Sequence, residues 1–159
     1  GTISDGVITL SKSGLIVDKC WRNLPHNFPY IELDAYVIMP NHLHGILLIN
    51  SECRGDAFAL RPPAKQSNLA ANASPKPIDH VKPHGTPAGS INAVIRNFKS
   101  VTSRRTKRIE PAITQLWQRD YYEHVIRNDK SLDEIREYIA SNPWNWHLDE
   151  YNPTQTYVR

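Results

Sequence analysis

The stretch Met39-Pro40-Asn41-His42-Leu43-His44 holds the sharpest chemical possibility in the chain. On an extended backbone, residues two apart point to the same face. His42 and His44 would then project together while Leu43 turns into the core. Two imidazoles at that spacing can bind one divalent cation; they can equally sit hydrogen-bonded on an edge strand and hold nothing. A metal pair also needs further ligands and a reaction. Tyr138 and Asn142 are four residues apart, so one helical face carries both, beside an apolar stripe. Tyrosine is a weak nucleophile, with an ordinary pKa of about 10, and a phosphodiester is a reluctant electrophile. A divalent cation eases the second difficulty by polarising the phosphate and neutralising charge in the transition state. A histidine pair facing a helix-borne tyrosine therefore suits phosphoryl transfer through a covalent phosphotyrosine that frees a 3′-hydroxyl. Tyr121 and Tyr122 are rival nucleophiles in an aromatic stretch where core packing competes, and Tyr138 could itself pack at a helix edge.

Positive charge is grouped where phosphate could be met. Arg96, Lys99, Arg104, Arg105, Lys107 and Arg108 fall within one segment, and Arg119 and Arg127 follow it. Such a cluster neutralises a nucleic-acid backbone or simply solvates a helix. Trp117, Tyr121, Tyr122, Trp144 and Trp146 could stack on unpaired bases or fill a core. His124 could orient a phosphate or satisfy a core hydrogen bond, whereas His80 and His84 read as solvated loop residues. The formal net charge of +3 permits nucleic-acid binding without requiring it.

These side chains need elements to position them. The 159 residues suit one domain with a sizeable core, and 40% hydrophobic with 22% charged residues is ordinary globular material. Residues 7–10 read as a strand after the turn-prone Ser4-Asp5-Gly6, and residues 11–21 as a helix with Leu15, Ile16, Cys20 and Trp21 on its apolar side. Residues 32–39, with Leu33, Ala35, Val37 and Met39 alternating, and 42–49 read as a hairpin across Pro40-Asn41. Residues 51–88 are rich in Pro, Gly, Ala and Ser without apolar period and read as a long, flexible insertion. A helix over 90–108 carries Ile91, Val94, Ile95, Phe98 and Val101 at helical spacing, and residues 116–127 read as a further strand. A last helix starts at Ser131 with a Ser131-x-x-Glu134 capping box, buries Leu132, Ile135 and Ile139, and stops at Pro143. The order is β-α-β-β-α-β-α, an α+β pattern on an antiparallel sheet. Cys20 and Cys53 have no zinc spacing and read as free thiols of a reducing cytoplasm. No apolar run approaches the roughly 20 residues of a membrane helix, and the opening Gly1-Thr2-Ile3 shows neither a secretory signal nor an initiating methionine.

Three motifs in order resemble one family. Tyr36-Val37-Ile38-Met39-Pro40-Asn41-His42-Leu43-His44 resembles the HUH motif of IS200-like Y1 transposases. Residues Trp117-Gln118-Arg119-Asp120-Tyr121-Tyr122 through Asn128 resemble a second signature of the group, and Glu137-Tyr138-Ile139-x-x-Asn142-Pro143 a third. The combination is most similar to the REP-associated tyrosine transposase branch. The resemblance implies a ferredoxin-like α+β domain with helices on one face of an antiparallel sheet. It implies His42 and His44 as ligands of Mg²⁺ or Mn²⁺, Asn142 as a residue completing the metal site, and Tyr138 as the nucleophile. Arg96 and Lys99 fall in a helix that resembles its Asn-x-Phe-Lys-Ser segment. The implied substrate is single-stranded DNA at a hairpin-forming repeat, cut and rejoined by a monomer or homodimer. The same motifs suit a non-catalytic hairpin-binding relative or a replication or transfer initiator. The family usually begins with an aromatic, Thr/Val-rich strand that is not read here, so the sheet is expected to lack that strand or to be completed differently.

Overall fold

Asp5 and Gly6 both take positive φ, 49° and 72°. That is the geometry of a two-residue hairpin turn, for which Asp-Gly is well suited. It joins β1 (Thr2–Ser4) to β2 (Val7–Thr9) in an antiparallel pair with Ile3 opposite Ile8. A Cβ on Gly6 would stand 2.4 Å from Trp144, a second reason for glycine there. The computed structural model describes residues 1–50, 90–149 and 151–152. The expected insertion at 51–88, with Cys53, His80 and His84, lies outside them.

Ser11 caps α1 (Lys12–Arg22), its hydroxyl accepting from the Gly14 amide. The buried side of α1 is Ser13, Val17, Cys20 and Trp21. Leu15, expected inside, is 58% exposed, because the helix turns one residue away from the anticipated stripe. A short α2 (Leu24–Asn27) carries Pro25 in its first turn, where its missing N–H costs nothing. Strands β3 (Ile31–Ile38) and β4 (Leu43–Ile49) form the expected antiparallel hairpin, closed by the Met39 amide donating to the His42 carbonyl.

The pairing of β3 with β4 shifts between Leu33 and Tyr36. This bulge reverses the alternation partway along β3. Ile31, Leu33, Tyr36 and Ile38 face one side with Leu43 and Leu47, whereas Ala35, Val37 and Met39 face the other with Ile46. The simple alternation expected from Leu33 to Met39 is therefore split. It also distributes the helices: α1, α2 and α3 (Ile91–Ile109) cover the first side, and α4 (Asp129–Ser141) covers the second. The α+β class with antiparallel pairing is as expected; the placement of all helices on one face is not. Ile3 and Ile8 of the β1–β2 hairpin join the second cluster beside Leu132, Ile135 and Ile139.

The spacing of α3 sends Val94 and Phe98 into the first cluster, with the Phe98 ring edge-on to Trp21 at 5.3 Å. Trp21 is the constraint on Gly45: a Cβ there would lie 2.4 Å from the indole, which is 2% exposed and has no room to retreat. Gly45→Ala is expected to cost about 1–3 kcal/mol through overpacking. The measurement is the urea midpoint at unchanged slope; an unaltered midpoint would mean that Trp21 is free to shift.

Two sequence expectations fail for local reasons. Helix α4 begins at Asp129, and Asn128 is its cap, the side-chain oxygen accepting from Ser131 N–H at 2.8 Å. The Ser131 amide is thus a donor to the true cap, and the proposed capping box does not form. Residues 116–127 belong to no strand among the described residues. Instead the Lys99 ammonium donates to the carbonyls of Gln118, Arg119 and Asp120 in succession. Tyr122 and Val125 there are 89% and 69% exposed.

Candidate active site

The tight Pro40-Asn41 turn places His42 at the mouth of the hairpin. His44 lies opposite Val37, on the side covered by α4. Leu43 joins the first core cluster, as the alternation required. The two imidazoles meet edge to face, with ring centres 4.7 Å apart and planes at 81°. The Tyr138 ring stands edge to face on His44 at 5.4 Å. Tyr138 is 56% exposed, while the next residue, Ile139, is 4% exposed and anchors the helix to the sheet. The helix thus presents the phenol beside the histidines and leaves it open to solvent.

Asn41 fixes how His42 is presented. Its amide nitrogen donates to the Tyr151 carbonyl, which turns the amide oxygen toward His42 Nδ1 at 2.8 Å. An oxygen there requires the proton on Nδ1, leaving the lone pair on Nε2. Nε2 is buried and has no hydrogen-bond partner. The nearest acidic atom, Asp149 Oδ2, is 3.6 Å away, too far for a hydrogen bond. Burial pushes the His42 imidazole below its ordinary pKa, and Asp149 partly opposes this. Burial and the neighbouring His42 do the same for His44, again against Asp149. Both rings are therefore neutral at pH 7, the form that binds a metal.

Asn142 ends α4 and is buried. Its side-chain nitrogen donates back to the Tyr138 carbonyl at 2.8 Å, which leaves only its oxygen for any ligand. The donor set therefore fits a divalent cation through an orphaned imidazole nitrogen and a second neutral imidazole. It is incomplete in protein groups: among the described residues no cluster of three or more His, Cys, Asp or Glu side chains could hold a metal. Asp149 and Asn41 are the contributors that sequence reasoning overlooked. Asn41 adjoins His42 and was findable as its tautomer partner; Asp149, in the tail after the 3₁₀ turn Trp146–Leu148, carries no sequence signal.

Helix α4 is pinned at the bulge of β3. Arg136 grips Asp34 with two donors, Nη2 to Oδ2 at 2.6 Å and Nε to Oδ1 at 3.1 Å, and also reaches Asp133. Two residues later on the same helix stands Tyr138. Hydrogen bonding from Arg136 holds the Asp34 carboxyl below its usual range. A carboxylate whose pKa is depressed by folding stabilises the native state above the unfolded value, about 3.9, and that contribution is lost as pH falls through the lower folded value. Asp34→Asn is accordingly expected to flatten the fall in melting temperature below about pH 4 relative to the parent chain. Identical acid limbs would show that the fork adds nothing.

Of the rival tyrosines, Tyr121 is engaged elsewhere and Tyr122 is 89% exposed. The Tyr121 hydroxyl lies within hydrogen-bonding reach of Asn92 and Glu123, and burial with that carboxylate raises its pKa, the wrong direction for a nucleophile. Arg96, Lys99, Arg104 and Arg105 all lie on α3, on the opposite side of the β3–β4 hairpin from Tyr138. Arg105 reaches the Cys20 sulfur at 3.3 Å, and Arg119 is exposed in the segment that Lys99 ties down. The structure thus joins the histidines and Tyr138 at one place, with Asn142 bonded to the Tyr138 carbonyl one helical turn on, and sets the basic residues apart from them. No helix among the described residues is long and apolar enough to cross a membrane.

Comparison with known proteins supports the same family over part of the chain, which leaves out the histidine motif at 36–44. Residues 72–142 match the family model described as IS200-like transposase. An uncharacterised protein of Haemophilus influenzae is 37% identical over 151 residues, covering 94% of this chain and 75% of that protein. No solved structure matches.

Proposed function

We propose, from the match of residues 72–142 to the IS200-like transposase family model, that this chain nicks and rejoins single-stranded DNA with Tyr138 as nucleophile. The observation that carries this reading is the Tyr138 ring standing 5.4 Å from His44, itself 4.7 Å from His42. The Tyr138 oxygen attacks a backbone phosphorus, the P–O3′ bond breaks, and the phenolic proton passes through solvent to the departing 3′-oxygen. The product is a 5′-phosphotyrosine and a free 3′-hydroxyl; attack by another 3′-hydroxyl reverses the step and joins strands. His42 Nε2, His44 and the Asn142 oxygen would hold Mg²⁺ or Mn²⁺, with phosphate oxygens filling what the protein leaves open. When bound, the ion supplies polarisation of the phosphate and charge neutralisation. Asn41 keeps the His42 lone pair on Nε2, and the Asp34–Arg136 fork holds the Tyr138 helix against the sheet.

The substrate in this reading is DNA that folds into hairpins at dispersed repeats, as in the REP-associated branch that the combination of the three motifs most resembles. The working compartment is the cytoplasm. The test is incubation of labelled single-stranded hairpin DNA with the chain and Mn²⁺, followed by denaturing electrophoresis. A protein-linked product is expected, and its absence with intact binding would favour hairpin binding without cleavage. That second reading has one specific support: among the described residues the metal donors of the protein are few.

A further inference from the structure

A cavity of about 410 Å³ opens between α3 and residues 113–117. It lies on the α3 side of the β3–β4 hairpin, away from the histidines and Tyr138. One wall is a helical face bearing Ser103, Arg104, Thr106 and Lys107; the facing wall includes Leu116 and Trp117. Among the described residues no carboxylate lines it. We propose that this cavity is a second nucleotide site, taking one unpaired nucleotide by its phosphate and its ring. The inference rests on the DNA-processing reading above and adds a place where the strand is held outside the reaction centre.

Four observations converge. First, the volume falls within the roughly 300–1,000 Å³ typical of small-ligand sites. Second, the exposed Arg104 and Lys107 are three residues apart on α3, so both cations rise from the same helical face. With no carboxylate among the described residues of the lining, an anion is the matching charge. Third, the aromatic wall is already in place. The Trp117 indole N–H donates to Thr102 Oγ1 at 2.7 Å and its ring leans on Phe98 at 5.4 Å. The hold of Lys99 on the three following carbonyls keeps that wall fixed. A preset indole beside a cation pair suits stacking on a base next to its phosphate. Fourth, Thr106 lines the cavity at 1% exposure, and its hydroxyl has no hydrogen-bond partner. A buried hydroxyl left unpaired is uncommon, and a polar edge of a bound base would supply the missing partner.

The experiment follows the Trp117 indole signal by NMR, assigned with Trp117→Phe, while an eight-residue oligothymidylate or free thymidine monophosphate is added to the full chain. Both additions are expected to move it. Arg104→Glu with Lys107→Glu is expected to weaken the oligonucleotide at least about tenfold and to shallow the salt dependence by about two ions. Thr106→Val, judged only if its unfolding midpoint matches the parent, should weaken it about threefold. A signal moved by the oligonucleotide at far lower concentration than by the monophosphate identifies a strand as the source; equal potency identifies a free nucleotide. If the double variant binds the oligonucleotide like the parent and the Trp117 signal stays still, the cavity assignment falls while the transposase reading stands. If the cavity binds nucleotide but hairpin DNA with Mn²⁺ never yields a protein-linked product, the transposase reading fails alone.

Discussion

Tyr138→Phe is expected to abolish the covalent protein–DNA product and to leave hairpin-DNA affinity nearly unchanged. The substitution removes one oxygen from a side chain that is 56% exposed and keeps the ring that stands on His44. Packing of α4 does not depend on that oxygen, because Ile139 and the stripe of Leu132 and Ile135 seat the helix and Arg136 locks it to Asp34. Without a nucleophile the step has no substitute at the same position, so the loss should be about 10⁴-fold or more. The measurement is the yield of protein-linked label on a denaturing gel, beside a gel-shift titration. Persistence of the adduct would transfer the role to another residue. Tyr121 and Tyr122 are then the ones to replace, although Tyr121 is committed to Asn92 and Glu123. Loss of DNA affinity together with the adduct would instead make Tyr138 a binding residue.

The parts of this site that were legible in the sequence are those governed by periodicity. Two histidines flanking a leucine had to share a face on any strand, and Tyr138 had to adjoin Ile139 on any helix with the Leu132–Ile135–Ile139 stripe. The errors arose where a single residue changes the local count. The bulge between Leu33 and Tyr36 redirects half of β3, and nothing in alternating apolar residues announces where an extra residue enters. Asn128 outcompetes Ser131 as the cap because its side chain already bonds the Ser131 amide. The stretch 116–127 has strand-forming residues, but propensity needs a partner to pair with. There Lys99 takes the carbonyls that a ladder would use. Asp149 enters from the tail only through tertiary folding, beyond the reach of spacing.

His42→Ala is expected to remove divalent-cation-dependent cleavage while sparing the fold. The Nε2 atom of His42 is buried and unpartnered, and Asn41, by holding the proton on Nδ1, leaves the lone pair on Nε2. An unsatisfied buried nitrogen is a cost to the folded chain, so its removal carries little of the usual destabilisation, and the melting temperature should change little. The ring also lies among His44, Trp146 and Tyr151, and truncation opens space there without breaking a hydrogen bond other than the one from Nδ1. Function should respond differently. A binding set this sparse in protein donors cannot lose one imidazole and keep its affinity, and cleavage should fall at least about a hundredfold. Asn41→Ala is the graded companion: it frees the tautomer without deleting the ligand, and a loss of about 10- to 100-fold is expected. Manganese binding measured by electron paramagnetic resonance separates the cases, since Tyr138→Phe should retain the signal of bound ion and His42→Ala should lose it. Full cleavage in His42→Ala would make the histidine pair structural and place the cation, if one acts, elsewhere in the chain.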